Sequence, residues 1–292
     1  MEGYHLCDSC FDECYTHCIM CNRILSIEDA CFEDEEEYYC DRCYNQEYNG
    51  ALRAHNFSTK PLFLGEGIFY GVELEVDRGG QSTVNAGEVL EVANFKGNHL
   101  YIKRDPSLAE GFEVVSHPMS LYYHCNEMCW EDVLNKLWKL GYSSQETLTC
   151  GYHIHVGRKG LGSTLDEQEA SIANIICFVD NHWEQLVRFS RRSLAEIEHW
   201  ATRYASVDGH NTALEHAKKG NPQRYTCVNL QNSETIEFRI FKGTLKHALF
   251  IACLQLVDEL CTKIAKMNST RLSAYTWTEF VLDIDVEKKS MG

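Results

Sequence analysis

No run of about 18 apolar residues occurs in this 292-residue chain, so no membrane-spanning helix is expected. Basic charge is scarce as well. Lysine and arginine number 27 against 43 aspartates and glutamates, a formal net charge of −16. A chain of that sign repels phosphate backbones, and general nucleic-acid binding is not expected. The opening residues Met1-Glu2-Gly3-Tyr4-His5 lack the basic and apolar regions of a secretory leader, which sets the expectation of a cytoplasmic protein. Several catalytic signatures are missing too. There is no GxxxxGKS/T phosphate loop, no HExxH helix, and no pattern of a protein kinase or Ser-His-Asp hydrolase. Any nucleotide phosphates would have to be held by metal ions and arginines.

What is present suits a folded protein with a sizeable core: 44% of residues are apolar and 24% charged. The negative charge is uneven. Residues 1–50 carry 13 acids against Arg23 and Arg42 alone, so −11 of the −16 lies there. The run Glu33-Asp34-Glu35-Glu36-Glu37 reads as a solvated loop. Eight of the 15 cysteines fall between residues 7 and 43, and six of those form CxxC pairs. Clustered pairs without a leader point to metal ligands in a reducing compartment rather than to disulfides.

Cys18-x2-Cys21 and Cys40-x2-Cys43, separated by 18 residues, have the spacing of a four-cysteine zinc site. So small a segment buries little apolar surface, and a bound metal would supply much of its folding energy. Cys7-x2-Cys10 lies 33 residues before Cys40, in a similar setting of aromatic and aspartate residues. That pair reads as the closing half of an earlier finger, or as half of a second local site completed by Cys14, His17 or Cys31. The segment looks like a LIM-like or treble-clef zinc module, whose usual work is scaffolding or partner binding. The expected division is a zinc module over 1–48, a linker over 49–61 and a main domain over 62–292.

The main domain alternates short strands with helices. Strands are expected over 68–76, 99–104, 112–116, 148–156, 227–230 and 235–241. Helices are expected over 85–95, 130–140, 166–180, 182–200 and 246–266. The fold class is α+β, with strands largely antiparallel. Strand periodicity then sorts the side chains. In Gly71-Val72-Glu73-Leu74-Glu75-Val76 the two glutamates share one face. In Gly151-Tyr152-His153-Ile154-His155-Val156 the two histidines do, and in Thr235-Ile236-Glu237-Phe238-Arg239-Ile240 Glu237 and Arg239 do. Phe112-Glu113-Val114-Val115 offers one more carboxylate. Any one of these strands would pass as the polar face of an ordinary antiparallel sheet. If the strands are neighbours, however, several carboxylates converge and need a cation. Oxygen ligands with an occasional imidazole suit Mg2+ or Mn2+, and make the site too oxygen-rich for a typical zinc hydrolase.

The set GVELEVD (71–77), KRDPSL (103–108), GFEVVSHP (111–118), GYHIHVG (151–157), RYTCVNL (224–230) and TIEFRIFKGTL (235–245) resembles the amidoligase family, found largely in bacteria and phages. That family belongs to the glutamine synthetase and glutamate–cysteine ligase superfamily of carboxylate–amine ligases. The resemblance covers residues 62–265 and leaves the cysteine module outside. It implies a curved antiparallel glutamine-synthetase-like sheet with flanking helices, cupping ATP at one end and the acceptor at the other. It also implies that Glu73, Glu75, Glu113, His153 and Glu237 bind magnesium and so the nucleotide. Arg239 and Arg224 would contact transferred phosphate, Asp105 and Ser107 would lie on the substrate side, and His155 would position substrate.

The implied reaction is ATP-dependent joining of a carboxylate to an amine, the substrate being a small molecule or a protein or peptide. Two other readings stay open. One is phosphotransfer onto another acceptor on the same fold. The other is a zinc-scaffolded adaptor whose main domain does not catalyse.

Overall fold

A computed structural model of the chain describes residues 11, 14–32, 38–40, 43, 50–203 and 225–290. In the N-terminal module β1 (Tyr15–His17) and β2 (Ile24–Ser26) pair antiparallel. The turn between them is closed by the Cys18 amide on the Arg23 carbonyl and by Asn22, which takes a left-handed φ of 57°. β3 (Cys31–Phe32) pairs antiparallel with β4 (Tyr38–Tyr39). Tyr39 is buried against Ala54, with Cys43 and Phe57 packed around them, so the module rests on the first turn of the main domain.

The main domain is built on one eight-stranded sheet. Its strands are β5 (Leu52–Arg53), β6 (Phe69–Val76), β7 (Leu100–Lys103), β8 (Phe112–Ser116), β9 (Met119–Ser120), β10 (Gly151–Gly157), β11 (Val228–Asn229) and β12 (Thr235–Lys242). Their order is β11-β12-β10-β6-β8-β7-β5, with β9 also paired to β6. All pairs are antiparallel except β5 with β7, so the sheet is mixed rather than wholly antiparallel. β5 falls in the stretch expected to be a linker. Two residues are too few to show alternation, which is why periodicity missed it.

The helices are α1 (Thr83–Ala93), α2 (Leu121–Asn126), α3 (Trp130–Lys139), α4 (Leu165–Asn181), α5 (Trp183–Ser190), α6 (Leu194–Trp200), α7 (His247–Glu259), α8 (Ser269–Ala274) and α9 (Trp277–Ser290). Among the described residues none is long and apolar enough to cross a membrane. One apolar face of the sheet, with Val72, Leu74, Val76, Val114, Ile154 and Phe238, forms a single core with helical residues such as Val89, Trp130, Leu137, Ile176, Phe250 and Leu254. Truncating such a residue to alanine costs about 2–5 kcal/mol. Gly111 enters β8 so close to β6 that a Cβ there would run into the Val76 carbonyl.

Three expectations are corrected. The helix expected over 182–200 breaks into α5 and α6, because Ser193 and Glu196 form a capping box that starts a new helix. Arg191 turns the chain at a φ of 65° just before it. The strand expected from 148 begins at 151, since Thr147 bonds the Ser144 carbonyl and the Cys150 amide and holds a turn there. The helix expected to 266 is α-helical to Glu259 and then widens into a π-helical turn over Leu260–Ile264.

His124 sits inside the core with no exposure. Trp130 Nε1 donates to its Nδ1 at 3.0 Å, so its Nε2–H faces the Tyr70 carbonyl at 3.0 Å. Burial pushes its pKa down to about 4, against 6.5 when free. The unfolded chain takes up that proton first, so its contribution is complete above pH 6.5 and is lost as the pH falls towards 4. The full term is about 3 kcal/mol. His117 and His182 are lowered by burial as well and act in the same direction. Melting curves are expected to show Tm falling steeply between pH 6.5 and 4, and His124→Asn should flatten that slope.

Candidate functional site

The face of the sheet opposite the core carries the polar residues in cross-strand rows. Lys103 on β7 stands opposite Glu113 on β8, and Glu113 opposite Glu75 on β6. Glu73 stands opposite His153 on β10. His155 stands opposite Glu237 on β12, and Glu237 opposite Asn229 on β11. Antiparallel register alone therefore gathers these groups, because each strand turns alternate side chains to this face.

Together they line a cavity of about 410 Å³ that also takes in Asp105, Ser107, Arg192 and Arg239. That volume is in the range of small-molecule sites, about 300–1,000 Å³. Three sets of ligand atoms each lie within 4.8 Å of one another: Glu73–Glu113–His153, Glu73–His155–Glu237 and Glu75–Asp105–Glu113. Nδ1 of His153 is 3.6 Å from Glu73 and 3.5 Å from Glu237, and Nε2 of His155 is 3.4 Å from Glu73. Both nitrogens are buried and neither makes a hydrogen bond among the described residues. Atoms about 2.1 Å from a common octahedral ion lie about 3 Å apart. The separations are longer than good hydrogen bonds, and the mixed carboxylate and imidazole donor set could hold a divalent cation.

The carboxylates differ sharply in their ionisation. Burial opposes the charge on Glu73, but His155, His153 and Lys103 overcome it and hold its pKa well below the ordinary carboxylate value. Glu237 is likewise lowered despite burial, by His155, His153 and Arg239. Glu113 goes the other way. Burial and then the Glu73 charge raise it well above the usual value, against the pull of Lys103. His155 is raised, since Glu73 and Glu237 outweigh its burial.

Two arginines complete the site. Arg239 donates to Glu237 through Nη1, and its guanidinium lies 5.6 Å from the Tyr225 ring centre. Its Nε makes no hydrogen bond among the described residues. Arg192 is 5% exposed, and its Nε and Nη1 are also without hydrogen bonds among the described residues. Burial lowers its pKa, with Glu75 and Glu196 acting in opposition. Buried guanidinium donors are costly to leave unpaired, so the pair marks this end of the cavity for an anion. Gly151 makes the space: a Cβ there would lie 2.5 Å from Nε2 of His153 and 2.7 Å from Nη2 of Arg192.

Every expected main-domain site residue that the structure describes lines this one cavity: Glu73, Glu75, Asp105, Ser107, Glu113, His153, His155, Glu237 and Arg239. Arg224, Cys7 and Cys10 lie outside the described residues. Lys103 and Arg192 were missed. Lys103 had a signal, since Leu100 and Ile102 are apolar and alternation along the strand puts residue 103 on the opposite face. Arg192 had none beyond the Ser193/Glu196 capping box that places it.

The four cysteines Cys18, Cys21, Cys40 and Cys43 also bring their sulfurs within 4.8 Å of one another, and could bind a structural metal such as zinc. Sγ of Cys21 and Cys40 are 3.8 Å apart, the separation of about 3.8 Å expected for two thiolates on one tetrahedral zinc. Although burial opposes it, the backbone amides of Cys40, Cys21 and Met20 lower the Cys18 thiol to about 6. No family model matches the sequence, and no curated protein matches it.

Metal analysis of the purified chain is expected to find one zinc per molecule at this cluster. Cys40→Ser should lose it and lower Tm by several degrees, whereas zinc retained at full occupancy would count against the cluster.

Proposed function

We propose that the chain is an ATP- and magnesium-dependent carboxylate–amine ligase with a structural zinc module, on a sheet of the glutamine synthetase kind. The observation that carries this reading is the convergence of Glu73, Glu113, His153, His155 and Glu237, two of them with unpaired imidazole nitrogens, beside Arg192 and Arg239 with unpaired guanidinium donors. A divalent-cation site next to an anion site is what a metal-bound triphosphate requires. The resemblance of the six motifs to the amidoligase family supports the same reading.

Magnesium, when bound by Glu73, Glu75, Glu113, His153 and Glu237, would offset the charge of the terminal phosphates. The chain's own groups then have distinct tasks. Arg239, steadied by Glu237 and facing Tyr225, and Arg192 beyond it hold the oxygens of the transferred phosphoryl group. A substrate carboxylate oxygen bonds to the γ-phosphorus as the bond to the β-phosphate oxygen breaks, releasing ADP. The amine nitrogen then bonds to the acyl carbon, and phosphate leaves. The proton lost by that amine goes to a base on the substrate side. Asp105, fixed by the Ser107 amide at 2.7 Å, is placed for it. Arg224, implied as a second phosphate contact, belongs to the same proposal.

The test is ADP release with Mg2+ and ATP over a panel of amino acids, polyamines and peptides, with the product identified by mass spectrometry. An amide product supports the ligase, and a phosphorylated acceptor identifies a phosphotransferase. No ADP, with no change in Tm on adding magnesium and ATP, identifies a non-catalytic adaptor. Glu237→Ala should lower turnover by roughly two to three orders of magnitude, and undiminished turnover would refute its assignment. Arg192→Met should lower kcat/KM about 100-fold while leaving divalent-ion binding unchanged.

A further inference from the structure

The cavity holds a positive charge that a plain metal site does not need. Nζ of Lys103 lies 3.0 Å from Oε2 of Glu113 and 3.9 Å from Oε1 of Glu73. These are the carboxylates that, with His153, form the first set of converging ligand atoms. The lysine is not a surface group leaning inward. Its side chain is 18% exposed and that of Glu113 4%, and register on the sheet sets Lys103 directly opposite Glu113.

An ammonium and a divalent ion cannot share this position. An ion bound to both carboxylates would sit within about 4 Å of Nζ, where the two positive charges repel strongly in a half-dry cavity. The consequence is unequal across the three ligand sets. Glu113 belongs to Glu73–Glu113–His153 and to Glu75–Asp105–Glu113, so a lysine bound to it opposes both. The set Glu73–His155–Glu237 does not include Glu113 and is opposed by a different group, since Glu237 accepts from the Arg239 guanidinium on one oxygen and from the Asn229 amide on the other.

We propose that the ammonium of Lys103 stands in for a divalent cation between Glu73 and Glu113, so that the nucleotide-free protein binds one divalent ion fewer than the same cavity would hold without that charge. This rests on reading the cavity as a divalent-metal site and is independent of the reaction it performs. A metal–nucleotide complex brings its own cation, and seating that cation on Glu113 requires Lys103 to move away. The lysine thereby keeps this position closed to free ions until the nucleotide-associated one arrives.

The test is a count of bound Mn2+ on the full chain without nucleotide, followed by the electron paramagnetic resonance signal of free Mn2+. Lys103→Met is expected to bind at least one ion more than wild type. Without divalent ions Lys103→Met should melt below wild type, because Glu73 and Glu113 lose their counter-charge. Mn2+ should raise its Tm by more than it raises that of wild type. Lys103→Gln provides a second neutral replacement should methionine disturb folding, and Lys103→Arg, which keeps the charge, should keep the wild-type count. Equal counts in wild type and the neutral variants overturn the proposal and leave the metal-site reading standing. No Mn2+ bound by any of them overturns both.

Discussion

Glutamates on adjacent strands repel one another, and the cavity is organised around that repulsion. Glu73, Glu75 and Glu113 occupy neighbouring positions on β6 and β8, where hydrogen-bond register allows no retreat. A slip of one residue would turn every one of them into the core and every core residue outward. The conflict is met by the histidines of β10, the lysine of β7 and the arginine of β12, and by the opposite ionisation tendencies of Glu73 and Glu113. Breaking one partner of such a buried set leaves an uncompensated charge, so the group stands or falls as a unit.

The same alternation that makes the site also makes the core. Val72, Leu74 and Val76 pack beneath Glu73 and Glu75 and are fully buried, while the glutamates face the opening. A rigid apolar layer directly under the polar one holds the ligand atoms in place without cross-links. The helices α5 and α6 add what the sheet cannot, by bringing Arg192 over the cavity from the break between them.

Much of this was legible in the sequence where a rule of period two applied. Glu73, Glu75, His153, His155, Glu237 and Arg239 were sorted to one face by their spacing alone, and their strands proved to be neighbours. What resisted reading was of two kinds. β5 is two residues long and carries no period. Arg192 reaches its place through a turn whose geometry depends on Arg191 adopting a left-handed conformation, which composition does not reveal. The α5–α6 break, by contrast, was written in Ser193 and Glu196 and was overridden by an apolar pattern that ran across it.

β5 has a consequence for assembly. It is an edge strand, and its partner in the sheet, β7, lies about 50 residues later in the chain. A parallel pairing over that distance waits for the β6–β8–β7 meander to form, because closing the longer loop yields nothing until its partner exists. The earliest part of this domain to be synthesised is therefore among the last to find its place. Tyr39 and Cys43, which pack on the turn just after β5, gain their platform only then.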